Sequence, residues 1–282
     1  MDLSRAKTIL IIAFLLLNVF LGYRLWYTPQ FLQAGQVITS EEVEAARQLL
    51  REHGYELQAA IPREVPRLAL LHVSREAKPP SAWAKLLLDE EVPGVVTETG
   101  SIKFQSGEAS VEVAPNGQVI YRRDKTGAAS GDTSPQTADG FLRERQLWYD
   151  DLTLDAQQPL GTQEGSRISY VQTHQGFPIF FSTIDVFVAD GFVYAANFYR
   201  VNPLNFSEQE VQVISAAEAM EAFVEISAES GEKKITDISL GYFSAEYDAE
   251  RWEIVPVWRI AADDGSALYI NAFTGEAEAS AL

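Results

Sequence analysis

The residue types that most often carry chemistry are scarce in this sequence and stand apart from one another. The chain contains no cysteine and three histidines, His53, His72 and His174. No two of these histidines have the spacing of a metal-binding pair, and without cysteine there is no thiolate metal ligand, cysteine nucleophile or disulfide. Each histidine is therefore predicted to be an ordinary surface or half-buried residue rather than a metal ligand.

Four pairs of adjacent acidic residues are the other candidates for acid–base chemistry. Neighbouring side chains point to different sides of a helix or strand, so two adjacent carboxylates do not converge on one reacting atom. The sequence has no phosphate-binding loop, no G-x-S-x-G motif and no calcium loop. We therefore predict a protein that is not an enzyme and needs no cofactor, with the acidic pairs at helix starts, turns and solvated positions. The pairs are Glu41-Glu42, Glu90-Glu91, Asp150-Asp151 and Asp263-Asp264.

An apolar segment near the N-terminus predicts a membrane anchor. Residues 8–21 carry no charge, and extending the segment to Tyr27 gives about 20 residues, the length of a membrane-spanning helix. Arg5 and Lys7 precede it, so the positive-inside rule places residues 1–7 in the cytoplasm and the rest of the chain outside. The alternative is a cleaved signal peptide, but no small-residue cleavage site follows the segment. We expect a single-pass protein of the cell membrane, with most of its chain extracellular.

Two residues inside the proposed span predict contact with another helix. The amide of Asn18 needs hydrogen-bond partners in lipid, and an interhelical polar contact contributes about 0.6 kcal/mol on average. Gly22 lies one turn further on the same face and permits a close approach. The predicted contact face consists of Phe14, Asn18, Gly22 and Leu25. The alternative is a lone asparagine tolerated in an ordinary anchor.

The composition indicates a folded, acidic protein. Hydrophobic residues make up 46% of the chain and aromatic residues 11%, which argues against disorder despite a net charge of −18. An acidic surface repels nucleic acid, so we expect no nucleic-acid partner. The part beyond the span, about 250 residues, has the length of one large domain or two ordinary ones.

Helix and turn signals divide this part further. Capping boxes at Thr39/Glu42 and Ser215/Glu218 each predict a helix start. Another helix is predicted over residues 139–149, after a linker of small polar residues, and segments rich in β-branched and aromatic residues predict strands after the helices.

Three turn sequences have a regular spacing along the chain. Asn116-Gly117, Asp190-Gly191 and Asp264-Gly265 each separate two predicted strands, and their glycines, at positions 117, 191 and 265, lie 74 residues apart. A helix precedes each group, so the pattern predicts an α+β fold of three related units, each a helix followed by antiparallel strands, forming two domains. Chance is the alternative, because Asn-Gly and Asp-Gly are common in hairpins. The predicted divisions are a cytoplasmic end (residues 1–7), a span (8–27), a stalk (28–37), a first extracellular domain (38–125), a linker (126–138) and a second extracellular region (139–282) with units 139–205 and 206–282.

Both ends of the chain resemble the YycI family. The N-terminal residues MDLSRAKTILIIAFLLLNVFL are similar to that family's lead, M-D-x-S-[KR]-x-K-T, and to the apolar segment that follows it. The C-terminal segments resemble the end of YycI and of PepSY-like modules, whereas residues 63–139 have no such match. These C-terminal segments are SAAEA (215–219), ISLGY (238–242), VPVWRI (255–260) and YINAFTGE (269–276).

The resemblance implies an accessory regulator of the WalK/WalR (YycG/YycF) two-component system of Gram-positive bacteria. It implies a single span, an extracellular α+β domain without catalytic residues, and restraint of the sensor histidine kinase through contacts between transmembrane helices. The implied partners are a WalK-type kinase and a YycH-like protein. The alternative function is that of an extracellular PepSY-like module that binds and inhibits a protease or a cell-wall hydrolase, with the anchor serving only for retention.

Overall fold

The structure is a computed structural model of the chain. Of the proposed span at residues 8–27, it describes only four residues, and the predicted contact residues Gly22 and Leu25 lie outside the described part. Within the described part, no helix is long and apolar enough to cross a membrane. The described residues are 14–15, 17–18, 36–124, 133–160, 165–227, 233–245 and 249–281.

The described part that starts at residue 36 is a mixed α+β fold dominated by β-sheet, which confirms the α+β part of the prediction. The helices are α1 (Ser40–Glu52), α2 (Pro80–Leu88), α3 (Pro135–Glu144) and α4 (Ala216–Ile226). The strands are β1 (Gln36–Val37), β2 (Tyr55–Leu57), β3 (Glu64–Val65), β4 (Arg67–Leu68), β5 (Leu71–Arg75), β6 (Val95–Val96), β7 (Ile102–Ser106), β8 (Ala109–Val113), β9 (Val119–Arg123), β10 (Leu152–Pro159), β11 (Ser166–His174), β12 (Phe177–Ala189), β13 (Phe192–Tyr199), β14 (Val201–Phe206), β15 (Val211–Gln212), β16 (Lys233–Phe243), β17 (Arg251–Ala262), β18 (Ala267–Asn271) and β19 (Ala277–Ala281).

The three predicted turns occupy equivalent positions in the sheet. Each joins the last two strands of an antiparallel trio: β7–β9, β11–β13 and β16–β18. The turn glycines Gly117, Gly191 and Gly265 have φ angles of 90°, 78° and 86°, which a residue with a Cβ rarely adopts. The trios follow α2, α3 and α4 respectively, so the helix-then-strands order recurs three times along the chain.

Helix α1 packs in a different place from the one that its sequence position suggested. It was predicted to lead the strands of residues 38–125, but it packs against α4 and β2, and β2 pairs in parallel with the first residues of β16. Helix α2 instead packs on β7 and β8. The amphipathic pattern of α1 indicates that one face is buried, but it carries no information about which sheet covers that face. The division into domains at 38–125 and 139–282 stays a prediction.

The structure differs from the predicted elements at three further points. Helix α3 covers Pro135–Glu144 rather than 139–149, because Ser134 and Pro135 form the N-cap and first-turn positions where proline is favoured. The last four residues of the predicted linker, 135–138, are therefore helical. The last two residues of the predicted stalk, Gln36–Val37, form β1. The sheet is also not purely antiparallel, because β16 pairs in parallel with both β2 and β12.

Three hydrophobic clusters form the core. One lies between α1, α4 and the strands of the C-terminal unit (residues 206–282), and a second joins α2 and α3 to strands β7–β13. The third contains Phe180, Phe181, Tyr242 and Phe243 and lies where β12 meets β16 and β17. This last cluster joins the middle of the chain to the C-terminal unit.

Candidate functional site

The predicted contact face of the span is described at two of its four residues. The side chain of Phe14 is 66% exposed, and the neighbouring Leu15 and Leu17 are more than half exposed. Nδ2 of Asn18 donates a hydrogen bond to the carbonyl oxygen of Phe14 over 2.9 Å. The helix itself thus takes one hydrogen bond of an amide that can donate two and accept two. The remaining capacity is what a second helix would use, and the contact face stays a prediction.

Backbone hydrogen bonds hold residues 36–42 at the entry to α1. Strand β1 pairs with β3, and the backbone N–H of Ile38 donates to the carbonyl of Arg63 over 3.0 Å. The capping box predicted at Thr39 is confirmed, since the backbone N–H of Thr39 donates to Glu42 and the N–H of Glu42 donates back to the Thr39 hydroxyl. The bonds that the backbone N–H and the hydroxyl of Thr39 donate to the Glu42 carboxylate hold the pKa of Glu42 below its usual value. The entry into α1 is therefore defined by paired backbone groups.

Helix α1 is fastened to the C-terminal unit by apolar packing. Leu50 on α1 and Met220 on α4 are fully buried in the same cluster. Beyond the helix, the ring of Tyr55 meets that of Phe223 edge-on at 5.1 Å, and the Tyr55 hydroxyl lies 2.8 Å from the Ser227 hydroxyl. Helix α1 and the C-terminal unit therefore share one hydrophobic core.

The middle of the chain meets the C-terminal unit at a close backbone contact. Strands β12 and β16 pair in parallel at one register position, Ile179 with Tyr242. At the preceding residue, Gly241, an added Cβ would lie 2.4 Å from the carbonyl oxygen of Pro178 and 2.6 Å from the ring of Phe180. Only glycine fits this contact, which explains its place in the ISLGY segment.

A buried arginine, Arg259, connects the same two parts of the chain next to this contact. Its guanidinium donates to both carboxylate oxygens of Asp155 over 2.9 and 2.8 Å, and its Nε donates to Asp237 over 3.1 Å. The group lies 4.5 Å from the centre of the Phe180 ring and is only 15% exposed. Bidentate, charge-assisted hydrogen bonds of this kind are the strong ones, so Arg259 holds β10 of the middle segment against β16 and β17.

A cleft of about 300 Å³ lies beside Arg259. Its polar lining groups bond to one another: Ser169 donates to Asp185 over 2.5 Å, and Arg167 donates to Gln158 over the same distance. These bonds link β11 to β12 and β10 to β11 along the cleft. The cleft has the character of a polar joint between strands rather than of a site waiting for a ligand.

A second buried network surrounds Asp151. Arg200 donates to both oxygens of this carboxylate over 3.0 and 2.9 Å, and the amide of Gln172 donates over 2.8 Å. The hydroxyl of Ser182 donates in turn to Gln172, and Gln172 and Ser182 are almost completely buried. Asp150 and Asp151 lie in a turn, one of the positions predicted for the acidic pairs, and Asp151 joins the start of β10 to the end of β13.

Each histidine has its own contacts within the fold. His53 contacts the carbonyl of Leu49, and His72 lies 3.6 Å from Glu253. His174 packs against the ring of Phe206 at 5.5 Å. Among the described residues, no group of three His, Cys, Asp or Glu side chains could hold a metal ion.

Burial of His174 predicts a pH-dependent stability. Its pKa lies below the ordinary value of 6.5 because burial disfavours the charged ring and outweighs the attraction of Asp151. The unfolded chain therefore binds a proton at a higher pH than the folded chain does, and stability falls as the pH drops below 6.5, by at most ~1.4 kcal/mol per pH unit. Denaturant unfolding at several pH values between neutral and mildly acidic should show that the free energy of unfolding depends less steeply on pH in His174→Gln. An NMR titration of His174 in the unaltered protein should show the lowered pKa. If the free energy of unfolding depends on pH equally steeply in the variant, His174 is not the cause of the pH dependence.

Sequence analysis did not single out Arg259, Asp155 or Arg200. A usable signal was present for Arg259, because it stands alone among apolar residues in VPVWRI, and a charge in a buried strand needs a partner. Its partner Asp155 lies 104 positions away, on a strand with no distinguishing pattern. Only the tertiary structure brings the two together.

Comparisons with known proteins agree with the resemblance seen in the sequence. A family model described as "YycI protein" matches residues 33–273. A search of the curated proteins found no match.

Several solved structures are similar to this chain. An uncharacterized protein from Eubacterium rectale has a TM-score of 0.50 at 10% identity, over 83% of this chain and 98% of that one, which shows a shared fold. The C-terminal domain of YpeB from Bacillus megaterium has a TM-score of 0.39 at 13% identity, over 88% of this chain and 98% of that domain. YycH from Bacillus subtilis has a TM-score of 0.46 at 15% identity, over 71% of this chain and 52% of YycH. Because the family model extends over most of the sequence, this chain belongs to the YycI family.

Proposed function

We propose that this protein is a membrane-anchored accessory regulator, without enzymatic activity, that restrains a sensor histidine kinase of the WalK/YycG type together with a YycH-like partner. The observation that carries the proposal is the match to the YycI family over residues 33–273, which supports an accessory regulatory role in the YycG/YycF system. In this proposal residues 8–27 span the cell membrane, residues 1–7 are cytoplasmic, and the rest of the chain is extracellular.

The proposed contact with the kinase lies inside the membrane. The span presents Phe14, Asn18, Gly22 and Leu25 on one side, and the amide of Asn18 retains hydrogen-bonding capacity beyond its bond to Phe14. A polar group in hydrocarbon is satisfied at lowest cost by a neighbouring helix, and a glycine one turn away allows that helix to approach. These features support pairing with a kinase span.

The outer domain is proposed to bias that pairing through the segment that connects them. Strand β1 pairs with β3, and α1 is packed on the C-terminal unit, so the chain that follows the connecting segment is part of the outer domain. A coupling free energy of about 1–3 kcal/mol between the state of the outer domain and the kinase would change signalling several-fold. No chemical reaction is needed for this role.

Replacing Asn18 and Gly22 together by leucine tests the proposed face. We expect the amount of kinase that co-purifies with the full-length protein from solubilised membranes to fall about threefold or more, because each lost interhelical contact contributes ~0.6 kcal/mol or more. The fold of the outer domain, followed by circular dichroism, should be unchanged.

The matched control places conservative changes on the opposite side of the proposed span. At 100° per residue, Leu16 and Phe20 lie away from the contact face, so Leu16→Ile with Phe20→Leu should leave co-purification unaltered. Equal co-purification of the Asn18/Gly22 variant and this control would remove the contact face from the proposal.

Exchange of the whole span separates the proposed function from its alternative. With residues 8–27 replaced by an unrelated apolar helix, a regulator that acts through the span loses its effect on kinase output. An extracellular PepSY-like inhibitor of a protease or wall hydrolase, to which the C-terminal segments point, keeps its activity. If the protein with the exchanged span keeps its full effect, the alternative function of an extracellular inhibitor is favoured.

A further inference from the structure

A cavity of about 550 Å³ opens beside α1, on the side where β2 pairs with β16. Ligand-binding pockets commonly enclose roughly 300–1,000 Å³, so its size is adequate for a small molecule. We call it the basic cavity, since its lining combines the second half of α1, strand β2 and the first two residues of β16. The lining residues are Arg47, Arg51, Gly54, Tyr55, Glu56, Leu57, Lys233 and Lys234.

The charge of this cavity is opposite to that of the protein. The chain carries a net charge of −18, yet the part of the lining that the structure describes contains four basic residues, Arg47, Arg51, Lys233 and Lys234, and one acidic residue, Glu56. Arg47 and Arg51 are four residues apart on α1, a spacing at which like charges repel. Lys233 and Lys234 are the first two residues of β16, where that strand pairs in parallel with β2, and both line the cavity although adjacent side chains leave opposite faces of a strand. Concentrated positive charge of this kind draws a counter-anion.

The ion pairs of the described residues leave part of this charge without a partner. Lys233 lies 3.2 Å from Asp264, and Arg51, which is 66% exposed, lies 3.8 Å from Glu44. Nε of Arg47, in contrast, is buried and has no hydrogen-bond partner among the described residues. A buried donor without an acceptor lowers the stability of the protein, so a ligand that supplies an acceptor in the cavity would restore that stability.

Arg51 carries the least weight in this argument. It lies in the last turn of α1, where a cation is stabilised by the helix dipole whether or not a ligand is bound. Arg47 is further from the helix end, and Lys234 is an exposed strand residue, so the dipole explains neither. Arg47 and Lys234 are therefore the residues on which a ligand would depend.

We propose that the basic cavity binds a phosphate-bearing anion, with Arg47 and Lys234 as its principal contacts. A guanidinium fork and an ammonium group together suit a phosphate, which offers several acceptor oxygens and up to two negative charges to donors from different directions. The polar, cationic lining does not suit an apolar ligand. The phosphate can belong to a free solute or to an anionic lipid headgroup, and the test separates the two sources. This site is independent of the proposed kinase contact.

The test uses the full-length protein in nanodiscs made only of zwitterionic lipid. Titration with inorganic phosphate or glycerol 3-phosphate should give saturable binding by calorimetry, weakening as the salt concentration rises, and slower amide hydrogen exchange at residues 47–57. The variant Arg47→Gln/Lys234→Gln should raise the dissociation constant about tenfold, the factor that ~1.4 kcal/mol gives. A parallel set of nanodiscs containing phosphatidylglycerol, without added solute, tests the lipid source by the same exchange measurement.

The matched control removes the same charge elsewhere. Lys103→Gln/Arg122→Gln takes two exposed cations from β7 and β9 and should leave binding unchanged, which separates a local site from a general loss of positive charge. The single variant Lys234→Gln alters only an exposed side chain, so it reports on the cavity even if the Arg47 substitution impairs folding.

Each outcome decides the proposal. Solute binding that is lost in the cavity variants and kept in the control supports it with a free solute as the source. Protection of residues 47–57 only in phosphatidylglycerol nanodiscs, lost in the same variants, supports it with a lipid headgroup as the source. Absence of both signals, or equal binding by the cavity and control variants, overturns it.

Discussion

Replacement of Gly241 by alanine is expected to lower the free energy of unfolding by about 3 kcal/mol. The added methyl group would lie 2.4 Å from the backbone oxygen of Pro178 and 2.6 and 2.8 Å from two ring carbons of Phe180, distances at which neighbouring atoms must move. The oxygen belongs to the backbone of β12, so relief requires the two strands to separate. Denaturant unfolding of the full-length protein in a fixed membrane mimetic measures the change.

Phe180 has little freedom to yield to that methyl group. One of its neighbours is the guanidinium of Arg259, at 4.5 Å, and another is the ring of Tyr269, at 5.6 Å. Moving the ring disturbs both contacts, and with them the bidentate bonds from Arg259 to Asp155. The cost of the substitution is therefore distributed over the whole joint between the middle of the chain and the C-terminal unit.

Gly140→Ala is the matched control for this substitution. Gly140 lies inside α3, and a Cβ there meets no heavy atom within 4 Å. Alanine is the better helix former, so this variant should be unchanged or more stable by up to ~1 kcal/mol. Equal stability of the two alanine variants would show that the β12–β16 contact is looser than the structure describes.

The features that the sequence predicted correctly depend on neighbouring residues. The capping boxes at Thr39 and Ser215 form because the two side chains of each box are three residues apart. The three turns form because glycine supplies the positive φ angles that the connections require. Such signals need no knowledge of the rest of the fold.

The features that sequence analysis missed depend on distant residues. The location of α1 follows from the pairing of β2 with β16, whose register joins Tyr55 to Lys233 across most of the chain. The basic cavity arises from the same pairing and has no counterpart in local composition. The start of α3 is the exception, because Ser134-Pro135 is a recognisable helix start that was assigned to a linker on composition alone.

The network around Asp151 also depends on residues that are distant in the sequence. Replacing Asp151 by asparagine is expected to lower the free energy of unfolding by about 3 kcal/mol. The side chain of Arg200 is only 8% exposed, and its Nη2 donates to both oxygens of this carboxylate. The substitution therefore leaves a buried cation without its counter-charge. The expected loss of stability lies at the low end of the range for breaking a buried ion pair, because the side chain of Asp151 itself is 35% exposed. Denaturant unfolding at neutral pH measures it.

The adjacent residue provides the control, and a second substitution identifies the cause. Asp150 is exposed, so Asp150→Asn removes the same charge one position away and should change stability by no more than ~0.5 kcal/mol. Adding Arg200→Leu to Asp151→Asn removes the uncompensated cation and should recover part of the loss, since replacing both partners costs less than removing one. If the double variant is less stable than Asp151→Asn alone, the packing of Arg200 on the Tyr149 ring, at 3.8 Å, contributes more than its charge pairing. If Asp151→Asn loses no more than Asp150→Asn, the network does not stabilise the joint between β10 and β13.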